Sequence, residues 1–95
     1  MAHRLVITDH AQDIIDGLKD DPKRVKKIVK VLALLEMDHR YPSLASHPYQ
    51  QLDALYGERI WESYVEQGTP SAWRIWWFFG PEDGEITVVD LAKHP

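Results

Sequence analysis

Hydrophobic positions repeat with a helical period in the first half of this chain and with a period of two in the second half. A β-branched apolar run, Arg4 to Ile7, predicts a short strand at the start. Thr8 follows as a helix N-cap, and apolar residues at helical spacing predict a first amphipathic helix over Asp9 to Lys19. A second stripe, with lysines on its opposite side, predicts a helix from Pro22 to about Asp38. The two predicted helices therefore form a hairpin after the first strand.

The second half predicts three consecutive hairpin strands. Their ranges are Arg59 to Glu66, Ala72 to Phe79 and Glu85 to Leu91, and turns containing glycine and proline separate them. The middle strand is apolar on both faces, as expected at the centre of a sheet. Between the helices and the strands the pattern is lost from Tyr41 to Gly57, which predicts a surface connection. We therefore predict an α+β fold in which a short N-terminal strand, a two-helix hairpin and three antiparallel strands form a sheet packed on the helices.

Composition narrows the class of protein. The 95 residues, 44% of them hydrophobic, suffice for a single core, so we predict one domain over residues 1–95. The chain has no cysteine, which excludes disulfides, thiolate nucleophiles and cysteine-based zinc sites. No stretch approaches the roughly 18 apolar residues that span a bilayer, so we expect a cytoplasmic protein without membrane contact.

Charge is distributed unevenly along the chain. The net charge of −4 argues against broad, nonspecific attraction to nucleic acid, because that attraction requires an excess of lysine and arginine. A basic cluster on the second predicted helix is either a solvated face or a surface for nucleic acid or a partner protein. Its members are Lys23, Arg24, Lys26, Lys27 and Lys30.

Arg74 is the anomaly of the aromatic middle strand. An unpaired buried charge is very costly, so its guanidinium must face either a carboxylate or a cleft. The sequence offers Glu62, Glu66 and Asp90 on neighbouring strands as partners for a structural ion pair. The alternative is anion binding, because the planar guanidinium presents paired donors that suit phosphate.

Lys93 and His94 are candidates for the same anion-binding site as Arg74. Lys93 and His94 follow the last predicted strand, and they would lie near Arg74 if the two strands are neighbours. Histidine exchanges protons near neutral pH and lysine stabilises charge on phosphate, so the three residues could form a phosphodiester site. His47 lies in the predicted connection, where it could contact a substrate, and the histidines show no spacing typical of a metal cluster.

The order of elements resembles the RelE/ParE superfamily of type II toxin-antitoxin toxins. Four short segments contribute to this resemblance, which covers nearly the whole chain. They are the Leu-x-x-Leu-x-Gly run from Leu52 to Gly57, the strand start Ile60-Trp61-Glu62, the strand Trp73-Arg74-Ile75-Trp76, and the terminal Lys93-His94-Pro95.

The resemblance to RelE-like members implies a ribosome-dependent mRNA endonuclease that needs no metal or other cofactor. Such an enzyme cuts by attack of a ribose 2′-hydroxyl on the adjacent phosphate. By the same resemblance, Arg74 matches the arginine on the scissile phosphate, and His94 matches a terminal general acid or charge stabiliser. The predicted site comprises Arg74, His94, Lys93 and Glu62 as catalytic groups, with Glu62 a candidate general base, and Arg59, Tyr64 and His47 as substrate-binding groups.

Two departures from the family pattern keep other functions open. The chain is acidic, whereas ribosome-binding members tend to be strongly basic, and Pro95 replaces a terminal tyrosine used by several members. One alternative is a ParE-like inhibitor of DNA gyrase that acts through the basic helix face, and another is a catalytically silent protein that only binds a partner. The expected partners are a cognate antitoxin and the ribosome with bound mRNA, in a homodimer or a toxin-antitoxin hetero-oligomer.

Overall fold

The computed structural model describes residues 2–69 and 72–93, and these form three α-helices and a five-stranded sheet. In chain order the elements are β1 (Arg4–Ile7), α1 (Asp9–Asp16), α2 (Pro22–Met37), β2 (His47–Pro48), α3 (Asp53–Tyr56), β3 (Trp61–Tyr64), β4 (Trp73–Phe79) and β5 (Glu85–Lys93). Single 3-10 turns at Pro42–Leu44 and Gln50–Leu52 flank β2. Within the described ranges, no helix is long and apolar enough to cross a membrane.

The strand order in the sheet is β1-β5-β4-β3-β2. β1 runs parallel to β5, whereas all other neighbours are antiparallel. β4 lies at the centre, which confirms the prediction made from its two apolar faces. The predicted α+β fold is likewise confirmed, and the sheet gains β2 from the segment that the sequence presented as a surface connection.

The two longer helices, α1 and α2, begin at side-chain caps. The Thr8 hydroxyl accepts a hydrogen bond from the Ala11 N–H at 3.2 Å, and Asp21 accepts one from the Arg24 N–H at 3.2 Å. These bonds satisfy N–H groups that have no partner within the helix. α1 ends at Asp16, one turn before the predicted end, because the chain leaves the helix at Gly17, which has a low helix propensity. α2 ends within one residue of its predicted end.

The two faces of the sheet carry separate hydrophobic clusters. On one face the helices pack against β4 and β5, and the buried residues include Ile28, Leu35, Ile75, Trp77 and Val88. On the other face Ile60, Trp76 and Val89 are covered by Tyr49, Leu52 and Tyr56 from the segment between α2 and β3. That segment is therefore part of the core on the second face, and it covers only a portion of that face.

Strand boundaries differ from the sequence prediction at three places. β3 spans only Trp61–Tyr64, so Arg59 and Glu66 lie outside it, and β4 begins at Trp73. β5 continues to Lys93, two residues beyond its predicted end. A register shift divides the β4–β5 pairing, because Trp76 lies opposite Asp90 whereas Trp77 lies opposite Val88. Val89 is the additional residue of this β-bulge.

Candidate functional site

Strand register brings four of the predicted site residues onto one face of the sheet. His47 in β2 lies opposite Glu62 in β3, and Tyr64 in β3 lies opposite Arg74 in β4. Glu62 also lies opposite Trp76 on its other side. Residues paired across strands project from the same face, so these five side chains are neighbours. We call this group the Glu62 cluster.

Glu62 is the buried centre of the cluster, with 3% of its surface exposed. The Trp76 indole N–H donates to Oε2 at 3.0 Å, and His47 Nε2 lies 3.0 Å from Oε1. Arg74 Nε lies 3.7 Å from the same Oε1. A buried carboxylate is stable only when opposite charge and hydrogen bonds compensate for lost water, and these three groups supply both.

Arg74 retains hydrogen-bonding capacity inside the cluster. Its side chain is 13% exposed, and its guanidinium carbon lies 3.9 Å from the centre of the Tyr64 ring, a cation–π arrangement. Nη1 donates to the Ala72 carbonyl at 3.2 Å, whereas the buried Nε has no hydrogen-bond partner among the described residues. The ion pair with Glu62 is thus long, and the guanidinium is held mainly by stacking and by one backbone carbonyl.

His47 is more accessible than Glu62 and Arg74. Its side chain is 41% exposed, and its ring packs edge-on against Tyr64 with centroids 5.7 Å apart. Nδ1 lies 2.7 Å from the Ala45 carbonyl oxygen. Both ring nitrogens therefore face oxygen atoms, Nδ1 toward the backbone and Nε2 toward Glu62.

The backbone before His47 is fixed by an unusual conformation and by hydroxyl contacts. Ala45 has a φ of 47°, in the left-handed region that residues with a Cβ rarely adopt. Ser46 Oγ donates to the His39 carbonyl at 3.1 Å and lies 2.7 Å from Ser63 Oγ. These contacts hold the two-residue strand β2 in a position that its length alone would not secure.

The three other predicted site residues lie apart from this cluster or outside the described residues. Lys93 pairs with Trp73, which packs on the helix-covered face, so the two side chains leave the sheet on the side opposite Arg74. Arg59 is exposed in the segment before β3. His94 lies outside the described residues. Within those residues no group of three or more histidine, aspartate or glutamate side chains could hold a metal ion.

Sequence reasoning did not identify Trp76 as a member of the site. The signal was present, because simple alternation along β4 places Trp76 on the same face as Arg74. Its indole N–H is the only hydrogen-bond donor of the side chain, and it binds the carboxylate directly.

Acidic residues of the sheet are paired rather than free. Glu85 lies 3.2 Å from Arg4 Nε, and Asp90 lies 3.2 Å from His10 Nε2. Burial raises the pKa of Tyr56, and the nearby Asp90 charge raises it further. The acidic composition therefore does not produce an uncompensated row of carboxylates along these strands.

A partly buried carboxylate, that of Glu66, lies on the helix-covered side, and we call its group the Glu66 cluster. Glu66 lies 3.1 Å from Lys27 Nζ and 3.5 Å from Arg24 Nη2, and it accepts the Trp73 backbone N–H at 3.4 Å. Burial alone would raise the pKa of Glu66, but the Lys27 and Trp73 hydrogen bonds and the Lys27 and Arg24 charges hold it below its ordinary value. Arg24 also bonds Asp21 at 2.8 Å.

The architecture of this chain is similar to that of several solved structures. No protein-family model matches the chain, and no curated protein matches it. Among solved structures, the YoeB/ParE toxin from Agrobacterium tumefaciens has a TM-score of 0.71 at 15% identity, over 97% of this chain and 99% of that one.

Two further structures agree with the first. A chain of the archaeal RelE-RelB complex from Pyrococcus horikoshii OT3 has a TM-score of 0.69 at 11% identity, over 98% of this chain and 96% of that one. The YoeB dimer from Staphylococcus aureus has a TM-score of 0.64 at 14% identity, and the match covers 100% of both chains. The chain has the fold of the RelE/ParE superfamily of toxins.

Proposed function

We propose that this protein is the toxin of a type II toxin-antitoxin system and that it acts as a ribosome-dependent mRNA endonuclease. The shared fold supports the toxin assignment, because all three similar structures carry the name of a YoeB, ParE or RelE protein. The cleavage chemistry is supported by the residues that the fold assembles at the Glu62 cluster.

The proposal rests on one observation, the contacts of the Arg74 guanidinium. A guanidinium that is stacked on Tyr64 and partly exposed, with only a long ion pair to Glu62, keeps charge and N–H donors with which it can bind a phosphate. Arginine binds phosphate through paired N–H donors, and the surrounding partial burial strengthens such bonds. In this proposal Arg74 binds the scissile phosphate and stabilises the charge that develops on it.

The reaction we propose is an internal transfer at phosphorus. The ribose 2′-oxygen forms a bond to the adjacent phosphorus while the bond from phosphorus to the 5′-oxygen breaks. The products are a 2′,3′-cyclic phosphate and a free 5′-hydroxyl. Proton transfer and charge stabilisation are assigned to Glu62 and His94, and Arg59, Tyr64 and His47 are proposed to contact the RNA. Lys93, predicted as a catalytic group, has no role in this proposal, because its side chain leaves the sheet on the side opposite Arg74.

Partners follow from the same assignment. We propose a cognate antitoxin, by analogy with the RelE-RelB complex, and self-association, by analogy with the YoeB dimer. The ribosome with bound mRNA would be the target, which places the activity in the cytoplasm.

A second candidate function rests on the exposed side of α2. Val29 is 54% exposed among lysines, a combination of apolar and basic surface that suits a protein partner. A ParE-like inhibitor of DNA gyrase would act through this surface. Its neighbours are Lys23, Lys26, Lys27 and Lys30.

The deciding experiment compares two arginines in the same chain. The native protein, Arg74→Ala and Arg24→Ala are induced in a bacterial host, with growth followed and mRNA 5′ ends mapped. We expect growth arrest and codon-phased cuts from the native chain and from Arg24→Ala. Loss of an electrostatic stabiliser typically costs about 100-fold or more in rate, so Arg74→Ala should remove both effects.

Other outcomes separate the alternatives. Growth arrest without mRNA cuts, abolished by reversing the charge of Lys23 and Lys26, would replace the endonuclease with the gyrase inhibitor. No arrest from folded native protein would contradict both and leave a catalytically silent binding protein.

A further inference from the structure

A cavity of about 560 Å³ opens on the helix-covered side of the sheet, beside the residues that follow α2. Its aromatic lining comprises Tyr41, Trp61, Trp77 and Phe79. Trp77 is fully buried, whereas Tyr41 and Phe79 are 45% and 42% exposed. The cavity therefore presents aromatic surface to solvent, and its volume is typical of sites for small ligands. We call it the Trp61 pocket.

The rings of the pocket hold one another in place. Trp61 stacks on Trp77 with an interplanar angle of 18° and ring centroids 5.9 Å apart. Phe79 meets both indoles edge-on, at 5.9 Å from Trp61 and 5.0 Å from Trp77. A preformed aromatic surface of this kind suits a planar ligand, which can stack on it without ordering the side chains first.

Two hydrogen-bonding groups of the pocket are unused. Within residues 2–69 and 72–93, neither the Trp61 indole N–H nor the Tyr41 hydroxyl has a hydrogen-bond partner. The Trp77 indole N–H, by contrast, donates to Ser63 Oγ at 2.8 Å. The unused groups can therefore bind the polar edge of a ligand whose ring stacks in the pocket.

The charge of the pocket comes from Arg40. Burial lowers the pKa of His39, and the nearby His3 and Arg40 lower it further, so His39 is neutral at neutral pH. Among the described residues the Arg40 guanidinium has no carboxylate within ion-pair distance, and only its backbone N–H is bonded, to Asp38 at 3.0 Å. A planar ligand with a negative charge thus finds both stacking rings and a cation.

The pocket shares a wall with the Glu62 cluster. Ala45 and Ser46 line the pocket, and the next residue, His47, belongs to the cluster. Alternation along β3 places Trp61 on the pocket side of the sheet and Glu62 on the other side. β2 is the edge strand and has only two residues, so a single RNA strand bound at the cluster has a short path around this edge to the pocket.

We propose that the Trp61 pocket binds one nucleotide of the mRNA that flanks the scissile bond, with the base stacked on the aromatic rings and a phosphate on Arg40. This inference rests on the proposed function. Hydrogen bonds from the base edge to Trp61 and Tyr41 would favour one base over another. Recognition by stacking also suits a chain with a net charge of −4, because it needs no excess of basic residues.

Binding is measured on the full chain without cleavage, with trinucleotides whose 2′-oxygens are methylated and cannot attack phosphorus. We expect these probes to shift the NMR signal of the Trp61 indole N–H. Tyr41→Ala should weaken binding about tenfold, the typical effect of losing one stacking ring, and Tyr41→Phe should retain most of it. Leu55→Ala is the matched control, because Leu55 is 72% exposed and lies outside the pocket.

Salt dependence tests the role of Arg40. One phosphate contact to a single strand gives a slope of about −0.7 when the logarithm of the binding constant is plotted against that of the salt concentration. We expect this slope for the native chain and a slope near zero for Arg40→Gln. A steeper slope that Arg40→Gln leaves unchanged would place the probe on the lysines of α2 and overturn the inference.

Cleavage on programmed ribosomes separates this inference from the proposed function. Tyr41→Ala should slow cleavage about tenfold and reduce the preference for the flanking base. If the native chain cuts mRNA and Tyr41→Ala cuts the same sites at the same rates, the inference is wrong and the proposed function stands. If the native chain cuts no mRNA, the proposed function is wrong, and the probe titration still decides whether the pocket binds a nucleotide.

The other candidate occupant of the pocket is an aromatic side chain of a protein partner. A native chain that binds none of the trinucleotides, with no shift of the Trp61 signal, would overturn the inference in favour of that occupant.

Discussion

The Glu62 and Glu66 clusters are built from the same parts on opposite sides of one sheet. Each has a buried or partly buried glutamate beside an arginine and a second basic residue. Each glutamate also accepts a hydrogen bond from a tryptophan, Glu62 from the Trp76 indole N–H and Glu66 from the Trp73 backbone N–H. In each, the arginine also lies over an aromatic ring, at 3.9 Å for Arg74 on Tyr64 and 5.3 Å for Arg24 on Trp73. Composition alone does not distinguish a functional cluster from a structural one in this protein.

The pairing of the two arginines does distinguish them. Arg24 lies 2.8 Å from Asp21 and 3.5 Å from Glu66, and Lys27 lies 3.1 Å from Glu66. Among the described residues Arg74 is within ion-pair distance of one carboxylate, that of Glu62, at 3.7 Å. A guanidinium with a single, long ion pair is better suited to bind a phosphodiester than one held by two carboxylates.

The largest expected difference between the clusters is in stability. Glu62→Ala leaves the partly buried Arg74 without its carboxylate and the buried Trp76 N–H without a partner, and we expect a loss of about 3 kcal/mol in the free energy of unfolding. Glu66→Ala should cost about 1 kcal/mol or less, because Lys27 is 57% exposed and Arg24 keeps Asp21.

Urea denaturation of both variants at neutral pH measures this difference. The double variant Glu62→Ala with Arg74→Ala is the control, because removing both charges should recover part of the loss. If both single variants lost the same free energy of unfolding, the two carboxylates would contribute equally to stability and the expectation would be wrong.

Exchanging each arginine for lysine should lower mRNA cleavage in the Glu62 cluster but not in the Glu66 cluster. Arg74→Lys keeps a positive charge but loses the planar donor pair and the stacking on Tyr64. We expect mRNA cleavage on programmed ribosomes to fall about tenfold, less than the about 100-fold typical of removing the stabilising group altogether. Arg24→Lys should leave the rate unchanged. Identical rates for Arg74→Lys and the native chain would mean that only the charge at this position is used.

The smallest effect concerns the pH dependence of stability at Glu66. Its pKa is lower in the folded protein than its ordinary value, so the folded state favours the ionised form. The resulting stabilisation is fully present above the ordinary pKa of a glutamate, about 4.3, and is lost as the pH falls through the lower folded value. We expect the free energy of unfolding of the native protein to exceed that of Glu66→Gln by up to about 1 kcal/mol at neutral pH. This difference should vanish in acid.

Denaturant unfolding of the two proteins across a pH series checks this expectation. Lys27→Gln is a matched control, because it removes the first hydrogen bond that lowers the pKa of Glu66 and should shrink the pH-dependent difference. A native advantage that grows as the pH falls would contradict the sign of the shift.

The sequence predicted the elements of this fold because period and caps are local properties. Helical spacing and the Thr8 cap locate α1, and alternation in the aromatic strand locates β4 and its central position. The ion pair between Arg74 and Glu62 was among three pairings offered by neighbouring strands, and the structure contains that one. Such inferences need only residue types and strand adjacency.

The position of His47 could not be obtained in the same way. β2 has two residues and no hydrophobic period, and its placement depends on a left-handed Ala45 and on the hydroxyl contacts of Ser46. A positive φ at alanine has no sequence signal, and a hydroxyl can bond many partners. Consequently the sequence indicated that His47 lies in the connection but not that its ring touches Glu62.

The β-bulge at Val89 gives β5 one spare residue relative to β4. Strict alternation from Val88 would direct Leu91 and Lys93 to the side of Arg74, whereas the extra residue returns Leu91 to the helix-covered core. A chain lacking Val89 would keep the facing of every other residue in the strand, but it would lose the packing of this valine and the carbonyl that accepts from the Thr8 hydroxyl. The extra residue Val89 therefore determines from which face of the sheet the last residues of β5 project. The turn that begins the strand does not determine this.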